Sequence, residues 1–132
     1  MPAVLVDTSV WVEFLRRGSR GRAGPLDGLL ERGDVRTCGP VAAELVAGTA
    51  AARRGELWGR IRGLPWIELD ADGWKQVGDA YAALRSLGKQ VPLTDCVIAV
   101  AAVSAAAALW TFDDDFTRVE EVLRGLRLFE PV

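Results

Sequence analysis

The chain reads as an α/β protein: a parallel sheet of four or five strands with helices on both faces. Three observations predict this. Short apolar runs rich in β-branched residues recur along the sequence, as strands buried on both faces require. Between them lie longer segments whose apolar residues return every three or four positions, the period of a helix packed on one side. The two patterns alternate, as in βα units joined by right-handed crossovers. With 132 residues, half of them hydrophobic, the chain can bury its own core, and a single domain over 1–132 is expected.

Residues 3–6 form the first expected strand. Thr8 or Ser9 caps the helix after it, with Val10, Trp11, Phe14 and Leu15 facing inward. Residues 16–22 read as a glycine-broken basic loop carrying Arg16, Arg17, Arg20 and Arg22. It is either solvated or an edge that meets phosphates. A short helix at 26–30 and a Gly33-Asp34 turn lead to a second strand at 35–38. Gly39-Pro40 opens the next helix, where Val41, Glu44, Leu45 and Gly48 share a face. Helix is expected again over 50–62, with Arg53, Arg54, Arg60 and Arg62 as a second basic cluster, and a third strand at 66–69. Asp70 or Asp72 caps a long helix with Trp74, Val77, Tyr81 and Leu84 on its core side and Gly88 past its end. Pro92 precedes an alanine-rich helix with Asp95 in its first turn. A fourth strand follows at 109–111, then a last helix with Phe116, Val119, Val122 and Leu123 inward, and an edge strand at 127–129.

Composition narrows the function. The formal net charge is -2 and the sequence pI about 5.2, so polyanion binding must come from local patches or a bound cation. Apart from Lys75 and Lys89, every basic residue is arginine, which suits bidentate phosphate contacts or merely reflects a GC-rich genome. Histidine is absent, which removes Ser-His-Asp triads, Cys-His pairs and imidazole-ligated zinc. Cys38 and Cys96 lie in apolar surroundings and are expected as buried free thiols of a reducing cytoplasm. Met1-Pro2-Ala3 offers no basic segment before the first apolar run, so no leader is expected. The longest apolar stretch, 96–109, is too short for the ~20 residues of a membrane span.

Four acids stand where acids are uncommon. Asp7 ends the run Val4-Leu5-Val6, Glu44 shares a face with apolar residues, Asp95 opens a buried helix, and Asp113 follows Leu109-Trp110-Thr111-Phe112. Each has an ordinary explanation alone: Glu44 can hold its head in water, and Asp95 can cap its helix. Asp7 and Asp113, however, both fall at carboxyl ends of strands, the edge where open parallel sheets bind ligands. If the four converge, two carboxylates ~4 Å apart repel by about 4 kcal/mol at an effective dielectric near 20. A domain stable by roughly 5–15 kcal/mol tolerates that only with protons or a divalent cation among them. All-oxygen ligands favour Mg²⁺ or Mn²⁺ over zinc. A metal-activated water is then the nucleophile a histidine-free chain can offer to a phosphodiester.

Val4-Leu5-Val6-Asp7-Thr8-Ser9, Glu44 on the helix after the second strand, Leu93-Thr94-Asp95-Cys96-Val97-Ile98-Ala99 and Thr111-Phe112-Asp113-Asp114-Asp115-Phe116 together resemble the PIN-domain ribonucleases. Length and motif order look most like the VapC toxins of bacterial toxin–antitoxin pairs. The resemblance spans nearly the whole chain. It implies a PIN-like three-layer α/β/α sandwich and a Mg²⁺-dependent endoribonuclease acting on RNA such as transfer or ribosomal RNA. It also implies a homodimer and a small cognate antitoxin. Position by position, Asp7, Asp95 and Asp113 look like metal ligands, and Glu44 like the acid that holds metal, through water or directly, or orients water. Thr111 is placed to brace Asp113. Thr8 and Ser9 match the hydroxyls beside the first acid, to orient Asp7 or touch RNA. Asp115 shares the last acidic role, and Asp114 faces solvent. Arg16, Arg17, Arg20 and Arg22 are the RNA-binding candidates.

Rival classes fit less well. A phosphoryl-transfer domain of the haloacid-dehalogenase type needs an aspartate where Ser9 stands, and a receiver domain needs a lysine at a late strand end. A PIN scaffold that binds RNA or a partner without catalysis, and a trimming ribonuclease with no antitoxin, share the fold and stay open.

Overall fold

The protein is described by a computed structural model covering residues 2–131. Met1 and Val132, the ends of the expected 1–132 domain, lie outside the described residues. Among the described residues four strands form the sheet: β1 (Val4–Val6), β2 (Val35–Cys38), β3 (Trp66–Ile67) and β4 (Ala108–Trp110). All pairs are parallel, in the order β3-β2-β1-β4. Central β1 pairs Val4 with Val35 on one side and Leu5 with Leu109 on the other. Every residue of β1 and β4 is buried, as both faces are covered. The expected edge strand at 127–129 contracts to one parallel bridge, Leu109 with Leu128. The third strand ends at Ile67 rather than running to Leu69.

Among the described residues six helices connect these strands and a seventh follows β4: α1 (Thr8–Arg17), α2 (Leu26–Glu31), α3 (Gly39–Ala47), α4 (Arg54–Arg62), α5 (Ala71–Ser86), α6 (Leu93–Ser104) and, last, α7 (Asp115–Glu120). Helices α1, α3 and α4 pack in sequence, and α5, α6 and α7 pack on one another. This gives the α/β/α layering. None of the described helices is long and apolar enough to cross a membrane.

Local chemistry explains most boundaries. Pro40 sits in the first turn of α3, where its missing N–H costs nothing. Asp70 caps α5, accepting from the Gly73 amide at 2.8 Å. Gly88 past the end of α5 takes φ +71°, which residues with a Cβ avoid. The cap of α1 is Asp7 rather than Thr8 or Ser9: β1 ends at Val6 as expected, the helix begins at Thr8, and the Asp7 carboxylate accepts from the Ser9 amide. Residues expected as one basic loop divide: Arg16 and Arg17 finish α1, where cations meet the helix dipole, and Gly18–Arg20 is a 3-10 turn. The helix expected over 50–62 begins with a 3-10 turn at Ala51–Arg53. On α5, Trp74 points outward at 54% exposure while Val77 and Leu84 are buried.

Helix α6 is apolar all round, and Cys96 to Ala102 are buried without a break. Alanine supplies no polar face and little bulk, so the helix sits deep between its neighbours. Trp110, Phe116 and Ile98 fill the same core, each adding roughly 1.5–3 kcal/mol on full burial. Cys38 and Cys96 are both buried free thiols.

Candidate active site

The sheet order reverses between β1 and β4, because β2 and β3 lie on one side of β1 and β4 on the other. Ligands in open α/β sheets bind outside the carboxyl ends at such a switch point. Asp7 leaves β1 there, and residues 111–115 leave β4.

The two strand ends are tied by hydroxyls. Asp7 Oδ2 accepts from Ser9 Oγ at 2.8 Å and from Thr111 Oγ1 at 2.8 Å, with the Ser9 amide at 3.4 Å. Ser9 Oγ in turn accepts from the Phe112 amide at 3.0 Å. Thr111 Oγ1 accepts from the Asp113 amide at 2.9 Å. Thr111 was expected to brace the Asp113 carboxylate; its hydroxyl instead braces Asp7 and fixes the backbone of Asp113. Ser9 donates to Asp7, whereas Thr8 turns to Glu44, donating from Oγ1 to Oε1 at 2.8 Å. Glu44 is exposed on α3, at the rim rather than inside the apolar face.

Asp95 is the least comfortable of these groups. It is 8% exposed, in the first turn of a largely apolar helix. Its Oδ2 is buried without a hydrogen-bond partner, an arrangement that costs free energy unless something else compensates it. A capping role is excluded by that geometry. Burial pushes the Asp95 carboxyl up to about 7, and the charges of Asp113, Asp7, Asp115 and Glu44 push in the same direction. Three of the acids foreseen in the sequence, with Asp115, therefore bear on the fourth.

Asp95, Asp113 and Asp115 each offer a carboxylate oxygen within 4.8 Å of the others. Asp113 Oδ1 accepts from the Asp115 amide at 2.9 Å, and Asp115 Oδ1 is held by Arg118 Nη1 at 2.7 Å. Asp113 and Asp115, the alternatives left by the sequence, thus lie side by side in this group. Asp7 lies outside this trio, with one oxygen already engaged by its donors. Asp114 is exposed. The oxygen-only donor set and the orphaned Asp95 Oδ2 fit a hard divalent cation such as Mg²⁺ or Mn²⁺.

The arginines expected at RNA scatter around this edge. Arg17 pairs with Glu13 at 3.4 Å. Arg16 lines a cleft of about 360 Å³ with Val12, Leu15, Leu57 and Glu44. Arg20 is exposed on the 3-10 turn. Arg22 stacks on Phe112, its guanidinium carbon 3.9 Å from the ring centroid. That contact was not foreseen, because nothing in the order of residues links position 22 to 112.

Comparison with known proteins agrees with the geometry. A PIN domain family model matches residues 4–122. The chain is similar to Ribonuclease VapC11 of Mycobacterium tuberculosis and to VapC ribonuclease Mb1587 of Mycobacterium bovis, each 30% identical over 124 residues, 90% of this chain and 92% of the relative. In three dimensions it resembles the DNA-bound VapBC of Salmonella typhimurium, with TM-score 0.77, 21% identity and 98% of both chains covered. It also resembles VapBC-5 of Mycobacterium tuberculosis, with TM-score 0.68, 23% identity, 98% of this chain and 100% of that one. The match over residues 4–122, the four-stranded parallel sheet and the acids at its switch point together make this chain a member of the PIN-domain family, in its VapC branch.

Proposed function

We propose that the protein is a metal-dependent endoribonuclease that hydrolyses RNA phosphodiester bonds and serves as the toxin of a toxin–antitoxin pair. The observation that carries the reading is the buried, unpartnered Asp95 Oδ2 facing the charges of four further acids. Mg²⁺, or Mn²⁺, would be held by Asp95, Asp113 and Asp7, with Asp115 sharing and Glu44 holding it directly or through water; when bound it supplies an activated water and neutralises phosphate charge. The chain's own residues do the rest. Ser9 and Thr111 fix the rotamer of Asp7, Thr8 fixes Glu44, and the buried start of α6 holds Asp95 in a place of low dielectric, where charge interactions are strong. Cleavage of transfer or ribosomal RNA is the expected activity.

Support for an antitoxin comes from the relatives, which include VapBC complexes, and from the cleft beside Glu44. Its floor is Val12, Leu15, Leu45 and Leu57, and its rim carries Arg16 and Arg53. We read it as the seat of a small antitoxin's apolar segment, which would close the site from the Glu44 side. A homodimer is proposed at the β3 edge, where Trp58 and Trp66 stack edge-on at 5.8 Å and remain 42% and 37% exposed. Buried free thiols suit a cytoplasmic location.

The test is RNA cleavage by the full chain in EDTA, after addition of Mg²⁺ or Mn²⁺, and with Asp95→Asn. Cleavage that needs the cation and disappears in the variant supports the reading. Folded protein that binds RNA and never cuts it would make this a PIN scaffold without catalysis.

A further inference from the structure

Resting on the ribonuclease reading, we infer that Arg22 and Phe112 form a fixed phosphate seat for the RNA strand beside the Asp113 end of the site. Among the arginines expected at RNA, Arg22 is held by an aromatic face, and Arg17 by an acid. Stacking engages the face of the guanidinium and leaves its in-plane N–H fork available. Among the described residues Arg22 has no salt bridge and no hydrogen bond to an acid, although its stacking partner adjoins Asp113 in the chain. A cation beside an acidic cluster would ordinarily be expected to pair with it.

The platform itself is rigid. The Phe112 amide is tied to Ser9 Oγ at 3.0 Å, and its ring meets Trp110 edge-on at 6.0 Å. The same Ser9 hydroxyl orients Asp7. One hydrogen-bond network therefore sets both the acids and the ring under Arg22, which fixes the guanidinium in register with the reacting centre. A planar fork held this way suits the bidentate geometry of a phosphodiester. The phosphate it takes is a neighbour of the scissile one, because the acids themselves are left for the bond that breaks.

The experiment measures binding of a short single-stranded oligoribonucleotide to the full chain in EDTA across a salt series, then cleavage in Mg²⁺. Arg22→Ala should weaken binding roughly tenfold and flatten the slope of log K against log salt by about 0.7, the loss of one single-strand phosphate contact. Arg22→Lys should keep the slope but lose affinity, since an ammonium has no planar fork. Phe112→Leu should weaken binding with no change in charge, while Arg20→Ala, an exposed arginine on the nearby turn, should do little. In cleavage, Arg22→Ala should raise KM more than it lowers kcat, with melting temperature unchanged. If Arg22→Ala behaves like Arg20→Ala while the wild type still cuts RNA, the seat is refuted and the ribonuclease reading stands. If the wild type neither binds nor cuts RNA, both fall together.

Discussion

Thr8 donates its hydroxyl proton to Glu44 across 36 positions of sequence, at 2.8 Å, and so joins the start of α1 to the middle of α3 at the mouth of the acidic site. Glu44 is exposed, and without this bond its side chain is free to turn to water. Thr8→Val should therefore slow cleavage roughly fivefold, the effect of about 1 kcal/mol, and raise the Mg²⁺ concentration needed for half-maximal rate. Thr8→Ser should restore both. If valine and serine behave alike, the hydroxyl has no part in holding Glu44.

Asp95 should make the metal-free protein sensitive to pH. Its carboxyl is raised from 3.8 to about 7, so the folded state holds a proton that the unfolded chain releases. The stability it contributes is complete below pH 4 and is lost as pH rises through 7. Between pH 5 and 8 in EDTA this group alone removes about 3 kcal/mol, roughly 10 °C in melting temperature. Saturating Mg²⁺ should flatten the dependence by replacing the proton. Melting curves of the wild type and Asp95→Asn at both pH values, with and without cation, measure the difference. Equal pH slopes for the two proteins in EDTA would contradict it.

The two principal acids should respond differently to amidation. Asp95→Asn removes charge from a place where Oδ2 has no donor among the described residues, so in EDTA at pH 8 it should raise stability by about 3 kcal/mol, the loss it avoids between pH 5 and 8. Asp7→Asn weakens a cap that accepts from Ser9 and Thr111 and should lower stability by about 1 kcal/mol. Both should abolish cleavage. Denaturant titration in EDTA distinguishes them, and stabilisation by Asp7→Asn would show that its donors matter less than charge repulsion.

Arg118 holds Asp115 Oδ1 at 2.7 Å, the oxygen for which a cation bound there would compete. The pair is half exposed and worth only about 0.2–1 kcal/mol. Arg118→Gln should accordingly tighten Mn²⁺ binding by about two- to fivefold in calorimetry, without changing the fold. Unchanged affinity would leave Asp115 outside the metal's reach.

Ala106 adopts φ +52° in the turn between α6 and β4, a region that costs a residue with a Cβ roughly 1–2 kcal/mol. Ala106→Gly should stabilise by up to about 1 kcal/mol after the glycine's own entropy cost, read as a rise in melting temperature with cleavage unaffected.

Much of this was legible in the sequence because strand and helix periods differ and the punctuation is strong. Pro40, Asp70 and Gly88 mark their boundaries by chemistry that acts within a few residues. The acids were legible because Asp7 and Asp95 break apolar runs, and burial of a carboxylate requires a reason. What escaped depends on contacts distant in sequence. The Thr111 hydroxyl turns to Asp7 because β4 lies beside β1, a pairing that no local pattern encodes. Trp74 fits the helical period of α5 and still faces outward, since period gives a face and not its depth. Arg22 reached Phe112 for the same reason that Thr8 reached Glu44: the sheet brings together ends that the chain keeps apart.

That β1 is paired with β4 also sets when the site can come into being. Asp7 lies 104 positions before Thr111, whose hydroxyl orients it, and Asp113 and Asp115 come later still. During synthesis Asp7 therefore leaves the ribosome well before those partners do. Until then the first strand has no neighbour on that side and Asp95 has no cluster to join. The acidic edge is therefore assembled only when β4 docks beside β1, and not when its first carboxylate is made.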